Sequence, residues 1–143
     1  MAGTTIRRAF ADLGDGQVHF AQCGPEDAEV VLLLHQTPRS WAEYRSVLPI
    51  LGQRYRAIAM DSIGFGDSAR PAWPGSIERW AAVAVELLDA LRVARAHVVG
   101  HHTGGVIAIE LAAAHPQRVG RLVLSSTPFT DAAFRRARAQ RPP

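Results

Sequence analysis

The tightest constraint on this chain lies between Arg95 and Ala113, in the run RAHVVGHHTGGVIAIELAA. A short apolar strand closing at Val98 and Val99 meets Gly100-His101-His102-Thr103-Gly104-Gly105, and an apolar helical pattern follows at once. Strand and helix backbones pass close together in so sharp a turn. Small residues are therefore needed two places before its apex and two places after, and Gly100 and Gly104 supply them. The apex is His102. Its imidazole is predicted to stand over a sheet end, beside the first free N–H groups of a helix. Such amides suit an anion, and histidine tolerates the positive φ of an apex better than most residues.

The rest of the chain alternates strands with helices. Arg7–Leu13 and Gln17–Gln22 alternate around Gly14-Asp15-Gly16, a hairpin signal. Glu29–Leu34 is a continuous apolar run, as expected of a strand covered on both faces, and it ends in the loop His35-Gln36-Thr37-Pro38. Ser40-Trp41-Ala42-Glu43 has the spacing of a capping box. Trp41, Tyr44, Val47, Leu48 and Leu51 would then share one helical face, with Gly52 as the C-cap. Tyr55–Met60 is the next strand. Ser76 caps a helix whose Ile77, Trp80, Ala84, Leu87, Leu88 and Leu91 face the core. After the Gly100–Gly105 turn, the helix that ends at His115-Pro116 carries only Glu110 as a charge, so it is expected to be buried nearly all round. Arg121–Ser125 is the last strand. This alternation predicts βαβ crossovers, and so an α/β fold in three α/β/α layers around an open, mostly parallel sheet of about six strands.

Composition narrows the partners. The chain has 143 residues, 48% hydrophobic and 20% charged, which are globular values. Its net charge of +3 comes from residues 131–143, where Arg135, Arg136, Arg138 and Arg141 face only Asp131. The other 130 residues hold twelve arginines and twelve acids, with no basic face to favour nucleic acid. No apolar run approaches a membrane span, and MAGTTIRRAF lacks a signal core. The single cysteine, Cys23, fits a reducing compartment. A cytoplasmic protein is the expectation, with a main unit at 1–130 and an arginine-rich tail at 131–143.

Three segments together resemble the α/β-hydrolase fold superfamily. GHHTGG at 100–105 resembles the nucleophile elbow, G-x-S-x-G, with histidine at the nucleophile position. DSIGFGDSARP at 61–71 resembles the D-x-x-G-x-G-x-S-x-x-P of the haloalkane dehalogenase and epoxide hydrolase branch, and His35-Gln36 resembles the HG oxyanion segment. The resemblance runs from about Arg7 to Phe129. It implies hydrolysis of a small ester, epoxide or carbon–halide substrate, with no organic cofactor and no metal. It also implies an acid and a histidine after strands that this chain does not contain. The chain reads as an N-terminal portion, and 131–143 as the start of a cap.

The resemblance points to His102 as nucleophile, with the backbone N–H groups of Thr103 and Gln36 holding the oxyanion. A neutral imidazole near pH 7 is itself a nucleophile or a base. The competing reading is an inactive elbow in a homologue that binds a ligand or has no activity. His35 is expected to brace its loop, and His101 to pack beside the sheet. Asp61 sets a turn or, less favoured, serves as the catalytic acid that orients a histidine. Adjacent side chains on a turn diverge, which weighs against a metal at His101 and His102. His19, His97 and His115 carry no signal. The strand at 121–125 would leave an apolar sheet edge, so self-association is a further expectation.

Overall fold

The computed structural model describes residues 4–128 and 131–140. Six strands form one sheet, β1 (Arg7–Leu13), β2 (Gly16–Cys23), β3 (Val30–Leu34), β4 (Arg56–Met60), β5 (Ala96–His101) and β6 (Val119–Ser125), in the order β1-β2-β4-β3-β5-β6. β1 and β2 form the expected hairpin, and β2 pairs antiparallel with β4. The β3–β4, β3–β5 and β5–β6 pairs are parallel. The four helices are α1 (Leu48–Leu51), α2 (Ile77–Ala90), α3 (Thr103–Ala114) and α4 (Ala132–Ala139). No helix among the described residues is long and apolar enough to cross a membrane.

β3 lies between β4 and β5, and all five of its residues are buried, as its unbroken apolar run requires. Alternate residues feed two cores. Leu32, Leu34, Ile58 and Val98 pack with α2 and α3 on one face, while Val31, Leu33, Ala57 and Ala59 pack with Trp41, Tyr44 and Leu48 on the other. α2 starts where Ser76 Oγ accepts the Arg79 N–H at 3.1 Å, and its Arg79 ties the hairpin turn to the helix through Asp15.

Three expectations fail on particular residues. The single helix expected over 41–51 is broken into a 3₁₀ turn at Trp41–Tyr44 and the short α1. Pro49 explains the break: it has no N–H to donate inside a helix, and it is tolerated only in a first turn, where it now sits. The capping box does not form either, because Ser40 Oγ accepts from Ala42 N while the Glu43 carboxylate turns to Gln36. Helix α3 is buried on one face rather than all round, with Ile109 44% exposed. In the 131–143 segment Ala132–Ala139 forms α4, built mostly of alanine and arginine, both strong helix formers.

Candidate active site

The bend between β5 and α3 has the geometry that its glycines demand. A Cβ on Gly100 would stand 2.3 Å from the Gly104 carbonyl oxygen, and one on Gly104 would stand 2.1 Å from that of Leu34. Between them His102 has φ 50° and ψ −115°, caps α3 and exposes its side chain. Strain of this size, of order 1–3 kcal/mol, persists only where neighbours enforce it, and here the two glycine contacts do so.

His102 Nδ1 lies 3.4 Å from Thr103 Oγ1, and Thr103 Oγ1 is 3.0 Å from Thr37 Oγ1. That hydroxyl contact brings the loop after β3 against the start of α3, across 66 positions of sequence. The Thr103 N–H, the first of the helix, takes no acceptor among the described residues, nor does the Thr37 N–H. Gln36 is a correction. Its N–H donates to Glu43 Oε2 at 2.9 Å, so this amide is occupied, whereas that of Thr37 takes no acceptor among the described residues. Glu43 also places Oε1 at 3.5 Å from His101 Nε2, and it forms one wall of a cleft of about 470 Å³ with Pro38, Arg39, Ser40, Ala42 and Gly66.

His35 braces the loops. Its Nδ1–H donates to the Gln36 carbonyl at 2.7 Å, and its Nε2 accepts the Ser62 N–H at 3.0 Å. Burial holds its pKa below the ordinary value, against the raising effects of the Gln36 carbonyl and the charges of Asp61 and Glu43. The Tyr44 hydroxyl donates to the Leu34 carbonyl at 2.9 Å; burial pushes its pKa well up, with Glu43 adding to the rise.

Asp61 orients a histidine, but that histidine is His19, which sequence reasoning passed over. His19 is fully buried, and its Nδ1 meets Asp61 Oδ2 at 2.8 Å. The second ring nitrogen accepts from Arg8 Nε at 2.9 Å, which makes the ring neutral with its proton toward Asp61. Asp61 also accepts the Trp41 N–H at 2.6 Å and the Asp67 N–H at 2.9 Å. His19, Asp61 and Asp67 bring candidate ligand atoms within 4.8 Å of one another. Arg8 binds both His19 and Asp67 there, and Asp61 is saturated by N–H donors, so the chemistry of the group is that of a brace. The sequence carried no signal for it: alternation in β2 sets Val18 and Phe20 on one face, and His19 is buried on the other only because β1, β4 and Trp41 close over it.

Comparison with known proteins agrees with the fold. A family model described as alpha/beta hydrolase fold matches residues 29–142. A 2-hydroxymuconate semialdehyde hydrolase of Pseudomonas sp. (strain CF600) is 48% identical over 87 residues, covering 59% of this chain and 30% of that protein. A 2-hydroxy-6-oxononadienedioate/2-hydroxy-6-oxononatrienedioate hydrolase of Paraburkholderia xenovorans (strain LB400) is 39% identical over 118 residues, covering 78% of this chain and 40% of that protein. Among solved structures, wild-type Cfl2 from Burkholderia cenocepacia superposes with a TM-score of 0.82 at 30% identity, over 94% of this chain and 49% of that one. The chain thus spans less than half the length of these relatives. Matched by the family model over most of its length, the chain belongs to the alpha/beta hydrolase fold family.

Proposed function

We propose that this chain carries the nucleophile-elbow half of a cytoplasmic hydrolase that acts on the carbonyl of a small oxo-acid or ester. The observation that carries the reading is the bend itself, an exposed imidazole at φ 50° next to Thr103, with Thr37 held against Thr103 by their hydroxyls and with neither threonine's N–H taking an acceptor among the described residues. With Nδ1–H turned toward the Thr103 hydroxyl, His102 keeps the Nε2 lone pair for attack. Nε2 adds to the carbonyl carbon, the oxygen becomes an anion, and the Thr37 and Thr103 N–H groups stabilise it in place of water. The leaving group departs with the Nδ1 proton of the acylated ring, and water then hydrolyses the acyl-imidazole to a carboxylic acid and returns a proton to the imidazole. The relatives named for 2-hydroxy-6-oxo-dienoate hydrolysis favour a carbonyl over an epoxide or a carbon–halide bond.

A second reading, a homologue that binds ligand without turnover, draws on one observation. Among the described residues no carboxylate meets the His102 ring; its one contact is Thr103. Chromogenic esters decide between the two readings. His102→Ala should lower turnover by on the order of 10²-fold or more, and quenched reactions should show an acyl adduct on His102. Equal rates in the two proteins would end the catalytic reading of this residue.

A further inference from the structure

We infer that Ser125, His101 and Glu43 form a serine–histidine–carboxylate constellation able to transfer an acyl group, with Ser125 as its nucleophile. This goes beyond the reading of His102 and does not depend on it.

The parallel register pairs His101 of β5 with Ser125 of β6, and residues so paired project to the same face. His101 Nδ1 lies 3.2 Å from Ser125 Oγ, and His101 Nε2 lies 3.5 Å from Glu43 Oε1. An ionised carboxylate only accepts hydrogen bonds. The proton of a neutral His101 therefore belongs on Nε2, toward Glu43, and the lone pair of Nδ1 faces the serine hydroxyl. A base needs that tautomer to take a proton from Ser125. Glu43 is held in turn, since its other oxygen accepts the Gln36 N–H at 2.9 Å and its side chain is only 14% exposed. Each member is thus oriented by the next, which is the geometric test for an activated nucleophile. Separations of 3.2 and 3.5 Å suit a site that tightens around substrate.

The surroundings of Ser125 add to this. The serine is exposed, while its base and acid are sheltered behind it. The next residue, Ser126, has φ 45°, a conformation rare outside glycine and concentrated at functional turns. The N–H groups of Ser126 and Thr127 take no acceptor among the described residues. The amide directly after the nucleophile is therefore available to an oxyanion.

The chemistry balances with water as the only co-reactant. Ser125 Oγ attacks the ester carbonyl carbon as its proton passes to His101 Nδ1. The C–O bond to the alcohol then breaks, and the alkoxide takes that proton. Water, deprotonated by His101, hydrolyses the acyl-serine to a carboxylic acid and restores the hydroxyl.

The test is labelling with a fluorophosphonate, which phosphonylates activated serines, followed by peptide mass mapping. The expected result is one adduct, on Ser125, lost in Ser125→Ala and kept in Ser46→Ala, a second exposed serine. His101→Gln and Glu43→Gln should each slow labelling at least about tenfold while melting as the wild type does. In the wild type the labelling rate should rise with pH, because only an unprotonated base can take the serine proton. No adduct on Ser125, a flat pH profile, or labelling indifferent to Glu43→Gln would each overturn the constellation. An acyl adduct on His102 from an ester, with Ser125 unlabelled, would sink this inference and leave the earlier reading standing. The reverse pattern would do the opposite.

Discussion

The two edges of the sheet are built on opposite principles. Among the described residues β1 pairs only with β2, and it exposes Arg7, Arg8 and Asp12 around one apolar side chain, Phe10. Arg7 pairs with Glu26, Arg8 with Asp67, and Arg8 reaches inward to His19 and over the face of Trp41. Among the described residues β6 pairs only with β5, and Leu122, Val123 and Leu124 are 38%, 54% and 44% exposed in a row without charge. Leu122 and Leu124 lie on the α3 face beside Val98 and Gly100, and Val123 on the other face beside Val99. A free strand edge is a template for pairing, and proteins blunt it with charge. The comparison teaches that this chain protects the edge far from the candidate site and leaves apolar the edge that carries Ser125.

The largest effect should come from the braced side. Asp61→Ala leaves His19 buried without its partner and strands the Trp41 and Asp67 amides, so we expect a loss of about 3–5 kcal/mol in denaturant unfolding. Amide exchange should then show β1 and β2 opening before β5. A uniform loss across the sheet would mean that Asp61 does not belong to one edge. At the other edge, sedimentation should find the wild type self-associating, and Val123→Lys should weaken that association at least about tenfold by placing a charge on the strand. Unchanged association in the variant would move the contact elsewhere.

The smallest effect is a control at the centre of the sheet. His35 has its pKa held down by burial, so the unfolded chain binds the proton first. Its contribution is complete above the ordinary histidine value of about 6.5 and is lost as pH falls below it toward the depressed folded value. Melting temperature should therefore drop between pH 7.5 and 5.5, and drop less in His35→Gln. Exchange at the Ser62 amide should report the loss before either edge does. If acid loosened β1 first, the contrast between the edges would owe more to protonation than to charge placement.

Much of the fold was legible because it rests on local rules. Hydrophobic alternation marked the hairpin, and the apolar run Val30–Leu34 marked a strand with neighbours on both sides. Gly100 and Gly104 announced the bend, since no other residue avoids the clash there. Pro49 was equally visible and should have split the helix expected across it. The site was less legible. The expectation for Gln36 rested on its place in a motif, and a motif does not show that the Glu43 carboxylate turns to the Gln36 amide.

The amino-acid sequence by itself determined where the chain turns, which runs are strands or helices, and that one imidazole crowns a glycine-flanked bend. These follow from sterics and periodicity within a few residues. Only the tertiary structure decided the partners: His19 with Asp61 across 42 positions, Thr37 with Thr103 across 66, His101 with Ser125 across 24. Those pairs depend on the strand order β1-β2-β4-β3-β5-β6 and on its registers, and an ionisable group gains or loses its chemistry according to which neighbour the register sets beside it.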